Sequence, residues 1–208
     1  MLTGVILAGG QGRKADRSSK SLLPFCGEIL IQRQVRIMKT ICREVIIVTN
    51  EPKIYLPVLG NSVRIITDYI PEKGPLGGMH AALSLGTSDY YWIVGSDMPF
   101  ISAQAAQLML NHMEEDSDAI LPCFMEEQHP FHGIYRKRCL ESVTTLLNKG
   151  WFDLNGLLRE ARVQEVNESF FRQGNIASHF VTNISTTEKY QQAMQLNYSL
   201  ESGNLFAL

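Results

Sequence analysis

The sequence predicts an α/β protein in three layers, a mixed and mostly parallel sheet with helices on both faces. Three observations predict it. Short apolar runs rich in Val, Ile, Tyr and Trp recur along the chain, segments of helical period separate them, and the first run ends in paired glycines. The 208 residues suffice for one full-sized domain with a substantial core.

The predicted strands are residues 4–8, 45–49, 63–67, 90–95 and 118–122, each apolar enough to be buried on both faces. Residues 29–42 place Ile31, Val35, Met38 and Cys42 near one helical face, and residues 76–85 and 102–113 behave similarly, the latter opened by Ser102 as N-cap. Beyond Cys123 the alternation loosens. Residues 131–136 read as a strand, 137–147 and 154–161 as helices, and 179–182 as a late strand. A final helix runs to about residue 196, with Ser185 as N-cap and Glu188 three positions later. The polar end from residue 197 onward reads as a fraying tail.

Composition narrows the function classes. With 45% hydrophobic and 19% charged residues and a formal charge of −2, the chain offers no global attraction for nucleic acid or an anionic membrane. Any phosphate site must be local. No basic segment followed by an apolar run of signal length opens the chain, and no uncharged apolar stretch approaches the ~18 residues a membrane span needs. Cys26, Cys42, Cys123 and Cys139 form no C-x-x-C pair, which suggests neither zinc nor a disulfide framework and fits a reduced, cytoplasmic setting.

The first strand runs into Leu7-Ala8-Gly9-Gly10, then a basic and hydroxyl-rich loop to Lys20-Ser21. Gly10-Gln11-Gly12-Arg13-Lys14-Ala15 fits G-x-G-x-x-A, but the following residues show no apolar helical face, and the next strand-end carboxylate, Glu51, lies far too late to hold a ribose. A dinucleotide site does not follow. Nor does a P-loop, because no glycine precedes Lys20. What remains is a strand ending in residues without bulk, where backbone N–H groups can approach a nucleotide, beside the cations Arg13, Lys14 and Lys20. A solvated loop that holds nothing is the plain alternative.

Other strand ends carry chemistry. Asp97 follows the buried run of residues 91–94 and precedes Met98-Pro99, so its carboxylate projects from the carboxyl end of a central strand and suits a Mg²⁺ ion shared with substrate phosphates. A turn aspartate bonding its own backbone uses the same residues. Asp68 ends the third strand. Asn50 ends the second and can offer its amide to a purine edge or a ribose. Gly74-Pro75-Leu76-Gly77-Gly78 begins a helix whose glycines, Gly78 among them, let a ligand approach the amino-terminal turn. His80 and His132 read as packed or surface residues, and Trp151, Phe152, Phe170 and Phe171 as core or interface rather than a stacking platform.

The order of these segments resembles a family. Leu7-Ala8-Gly9-Gly10 with its basic loop, Lys20 and Leu22-Leu23-Pro24, then Asp68 ahead of Gly74-Pro75-Leu76-Gly77-Gly78, then Asp97-Met98-Pro99-Phe100, is similar to the ordered motifs of the molybdenum cofactor guanylyltransferases. These belong to the Rossmann-like nucleotidyltransferases of the glycosyltransferase-A, or nucleotide-diphospho-sugar transferase, type. His129-Pro130 and Asn183-Ile184-Ser185-Thr186 match later family segments more loosely. The resemblance implies Mg²⁺-dependent transfer of GMP from GTP to molybdopterin, with pyrophosphate released.

It also implies roles: Asp97 as metal ligand; Asp97, Lys20 and Arg13 as catalytic; Leu7, Ala8, Gly9, Gly10, Lys20, Asn50, Asp68, Gly78 and Asp97 around the nucleotide. It divides the domain, residues 1–196, into a nucleotide-binding half (1–122) and an acceptor-side half (123–196), and makes molybdoenzymes or cofactor-assembly proteins the expected partners. Two departures leave alternatives open: Lys14-Ala15-Asp16 stands where the family has Arg-Met-Gly, and Ser19 where it has an acid. A CTP-using or sugar-phosphate transferase, or a non-catalytic binding protein, shares the remaining pattern.

Overall fold

The computed structural model describes residues 1–9, 20–67 and 74–202. In chain order, β1 (Leu2–Leu7) is followed by a 3-10 turn at Lys20–Leu22, the small hairpin β2 (Pro24–Phe25) and β3 (Glu28–Ile29), α1 (Leu30–Met38), β4 (Glu44–Val48), α2 (Pro52–Leu59) and β5 (Arg64–Ile66). Then come α3 (Gly74–Leu85), β6 (Tyr90–Gly95), α4 (Ala103–His112), β7 (Ala119–Phe124), β8 (Glu127–Gln128) and β9 (Gly133–Arg136). The chain closes with α5 (Cys139–Asn148), α6 (Leu154–Glu160), β10 (Val163–Asn167), α7 (Glu168–Gln173), a 3-10 turn at Ser178–Val181 and α8 (Thr187–Glu201).

The main sheet runs β10-β7-β9-β6-β1-β4-β5, with β8 paired to β7. The pairings β4–β5, β1–β4, β1–β6 and β7–β10 are parallel, and β9 is antiparallel to both its neighbours. Reversed β9, with the short β8 antiparallel to β7, makes the sheet mixed. Along β6, Trp92 and Val94 join a core with Ile31, Val35 and Met38 of α1, while Tyr91 and Ile93 join the opposite core with Leu76, Met79 and Leu83 of α3. That two-sided burial explains why the strands read as continuous apolar runs.

Except for the late strand at 179–182, the expected strands and helices are present, with ends shifted by a few residues. Differences cluster where polar residues or prolines mask a pattern. α2 contains two prolines, yet Pro52 sits in the first turn, where its missing N–H costs nothing, and Tyr55 and Leu59 bury one face. β10 carries Gln164 and Glu165, but as an edge strand beside β7 it buries only Val166 fully. The late strand expected at 179–182 is instead a 3-10 turn, Ser178–Val181.

α8 begins one residue later than predicted. Thr186, not Ser185, is the N-cap, and its Oγ1 accepts from the Lys189 N–H at 3.2 Å. The helix also continues to Glu201, so the stretch from 197 that reads as a tail is largely helical, with Asn197 buried and Leu200 against the apolar cluster of Phe25, Leu30, Phe100 and Ile184.

Gly133 marks where β9 threads between its neighbours. A Cβ there would sit 2.3 Å from Leu121 Cδ2, 2.9 Å from Tyr135 Cε2 and 3.1 Å from the Pro130 carbonyl oxygen. Gly133→Ala is expected to cost about 1–3 kcal/mol through overpacking, read as a lower urea midpoint at unchanged slope.

Candidate active site

Three parallel strands end together. Leu7 stands opposite Val48 on one side and Gly95 on the other. The ladder continues beyond the strands, with the Ala8 N–H donating to the Val48 carbonyl at 2.8 Å and the Ser96 N–H to the Leu7 carbonyl at 3.1 Å. Ala8-Gly9, Thr49-Asn50 and Ser96-Asp97 therefore leave the sheet side by side at its carboxyl edge, where α/β sheets bind ligands. Gly9 is exposed, and a Cβ on it would lie 3.9 Å from Asn50 Nδ2, so the glycine leaves this approach open. Asn50 is itself exposed.

Asp97 is set by two backbone ties. Gln34, wholly buried in α1, donates its Nε2 hydrogens to the Gly95 carbonyl at 2.8 Å and the Met98 carbonyl at 2.9 Å, bracketing Asp97. The Ile184 N–H donates to the Asp97 carbonyl at 2.8 Å and draws the segment before α8 to the site. Burial pushes the Asp97 carboxyl above its ordinary value, opposed by a bond from its own N–H and by the positive charges of Lys20 and Lys189. The Lys20 ammonium donates to the Ser185 carbonyl.

Gly78 is buried under the same edge. A Cβ on it would meet Leu7 Cδ2 at 3.1 Å and Val48 Cγ1 at 3.5 Å, so its small size seats α3 against β1 and β4. The start of α3 is also tied to Phe152, whose carbonyl accepts from the Leu76 N–H at 3.4 Å. Gly10, Arg13 and Asp68 lie outside the described residues, as do Lys14, Asp16 and Ser19.

Among the described residues, no three or more His, Cys, Asp or Glu side chains gather as a metal cage. A hard cation held by substrate phosphates and water needs only one or two carboxylates from the protein. Asp97 fits that need: a half-buried oxygen donor at the strand edge, engaged by its own N–H rather than by an ion pair among the described residues.

Two of the histidines, His132 and His129, have packing roles. His132 is fully buried, accepts at Nε2 from the Ser102 N–H at 2.9 Å, and is pushed down to about 3 by burial, so it stays neutral and structural. His129 packs its ring 5.4 Å from Phe124. Phe171 belongs to the core, whereas Trp151 is exposed.

Sequence reasoning missed Gln34 and Lys189. Gln34 had a signal: it falls between Ile31, Val35 and Met38 on the buried stripe, and a polar side chain there is retained for its hydrogen bonds. Lys189 was hidden by the one-residue error in the cap.

A profile described as the MobA-like NTP transferase domain matches residues 4–166. The chain belongs to that family. It is 29% identical over 192 residues to the molybdenum cofactor guanylyltransferase of Desulfosudis oleivorans, covering 92% of this chain and 94% of the relative. It is 31% identical over 170 residues to a Pelotomaculum thermopropionicum protein named "probable molybdenum cofactor guanylyltransferase", covering 82% and 80%. In fold, this MobA-like transferase is similar to molybdopterin-guanine dinucleotide biosynthesis protein A of Archaeoglobus fulgidus, with a TM-score of 0.79 at 20% identity over 95% and 99% of the two chains. It is also similar to the 4-diphosphocytidyl-2C-methyl-D-erythritol synthase of Anaerococcus prevotii, at 0.70 and 12% over 95% and 98%. The MobA-like transferase is thus a nucleotidyltransferase by family, with the nucleotide-diphospho-sugar transferase fold.

Two tests follow from the geometry. Gln34→Met keeps the apolar stem but removes both donors, leaving two buried carbonyls unpaired; it is expected to cost about 2 kcal/mol or more by urea unfolding. Asp97→Asn removes a carboxyl whose ionised form burial disfavours. Because the folded value is raised, ionisation destabilises the wild type above the unfolded value. In metal-free protein Asp97→Asn therefore melts at higher temperature near pH 8, and the gain fades as pH falls through the raised value.

Proposed function

We propose that this transferase moves GMP from GTP to the terminal phosphate of molybdopterin, with Mg²⁺, releasing pyrophosphate. The observation that carries the reading is the convergence of Leu7–Gly9, Asn50, Lys20 and Asp97 on one sheet edge, in a chain whose relatives are named for guanylyl transfer in molybdenum cofactor synthesis.

In the proposed reaction an acceptor phosphate oxygen attacks the α-phosphorus in line; a new P–O bond forms as the bond to the β-phosphate oxygen breaks, and pyrophosphate carries off the electron pair. The attacking oxygen is already anionic, so no side chain has to remove a proton. Catalysis then rests on positioning and on charge neutralisation. Ala8 and Gly9 leave room for the nucleoside, and Asn50 offers a donor and an acceptor beside Gly9. Lys20, now on the Ser185 carbonyl, exchanges that neutral partner for phosphate oxygens. When bound, Mg²⁺ supplies charge neutralisation across the triphosphate, with Asp97 as its protein ligand. Arg13, Gly10 and Asp68 are assigned to the same proposed site by the sequence resemblance alone.

The four cysteines are free thiols and no helix among the described residues is long and apolar enough to cross a membrane. Both observations suit the cytoplasmic setting we infer. Proteins that receive the finished dinucleotide, molybdoenzymes or assembly proteins, are the partners this reading implies.

Calorimetric titration with GTP, CTP, ATP and UTP, with and without Mg²⁺, tests the proposal. Selective, Mg²⁺-strengthened GTP binding is expected, with Asp97→Ala lowering guanylyl transfer to molybdopterin by about 10²-fold or more. Preference for CTP would move the chain to cytidylyl transfer, and full turnover by Asp97→Ala would remove Asp97 from the reaction.

A further inference from the structure

Lys189 stands at the third residue of α8, counted from its Thr186 cap. A lysine in the first turn of a 15-residue helix faces the positive end of the helix dipole, where a carboxylate or a glutamine would be favoured. Among the described residues the ammonium forms no ion pair, and it donates to Asn183 Oδ1, a neutral amide, at 3.4 Å. The neighbouring Glu188 is engaged with Thr186 and its own N–H.

The segment carrying Asn183 is fixed at the site. Ile184 is buried and bonded to the Asp97 carbonyl at 2.8 Å, while Lys20 holds the Ser185 carbonyl. Tyr190, next to Lys189, anchors the helix through its hydroxyl on the Pro24 carbonyl. Lys189 and Lys20 are the two cations whose charge acts on Asp97. Two ammonium groups whose hydrogen-bond partners among the described residues are neutral thus act on one carboxylate, in a protein whose formal charge is −2. Such a local excess of positive charge calls for an anion with several oxygens.

We infer that Lys189 is a second phosphate-binding cation of this site, contributed by the last helix and holding phosphate oxygens next to Asp97 together with Lys20. The inference rests on the site being the nucleotidyl-transfer site. The phosphate has two possible sources, the nucleotide's triphosphate and the acceptor's terminal phosphate. Lys189 binds rather than moves protons, and its charge is what matters.

The test titrates the full chain, as wild type, Lys189→Gln and Lys189→Arg, with Mg²⁺·GTP, and then with inorganic phosphate on the GTP-loaded and the free protein. Lys189→Gln is expected to weaken one of these by about tenfold or more, while Lys189→Arg stays within threefold of wild type. A loss confined to GTP assigns Lys189 to the triphosphate; a loss confined to inorganic phosphate with GTP already bound assigns it to the acceptor phosphate. Glutamine at this position can complete a capping box with Thr186, so an undiminished melting temperature shows that the loss is not unfolding. Equal affinities for all three proteins would overturn the inference, as would failure of arginine to restore binding. Wild type that binds phosphate but not GTP would defeat the GTP reading while leaving the Lys189 comparison decisive; wild type that binds neither would defeat both.

Discussion

The site depends on three strands ending in register. Because Leu7 lies opposite both Val48 and Gly95, the loops after β1, β4 and β6 leave the sheet at one level, and their polar groups meet without any of them being neighbours in sequence. A slip of one residue in either pairing would turn every core side chain of that strand to the other face. Two-sided burial therefore locks the register, and the register fixes the site.

Asp97 shows how that frame is carried to a single carboxylate. The sheet delivers Ser96, the buried amide of Gln34 grips the carbonyls on either side, and Ile184 fastens the aspartate's own carbonyl to the far end of the chain. The carboxylate is consequently held half-buried at a cost, offset by the bond from its own N–H and by the charges of Lys20 and Lys189. A carboxyl whose ionised form its surroundings disfavour is a common mark of a working site rather than a stabilising one.

The last helix belongs to this arrangement as much as the first strand does. α8 packs through Ala193 on the cluster of Phe25, Leu30 and Phe100, and the hairpin beneath it turns on Cys26 and Gly27, both at positive φ. Its first turn then stands beside Asp97 with Lys189. The chain beyond residue 123 thus reaches back to the Asp97 edge through a helix whose last turn the sequence disguised as a tail.

By itself the sequence determined the α/β class, the order of the main strands and helices, and the strand ends Leu7–Gly9, Asn50 and Asp97 that meet at one edge, because hydrophobic period and paired glycines are local properties of the chain. Only the tertiary structure decided the rest. α2 and β10 form because Tyr55, Leu59 and Val166 find core to bury against, despite prolines and polar neighbours. Gln34 shows its purpose only when α1 lies over the end of β6, and Lys189 only when Thr186 caps α8 and Ile184 reaches Asp97. Contacts between residues 60 to 90 positions apart leave no period in a sequence; they arise from how the layers close on one another.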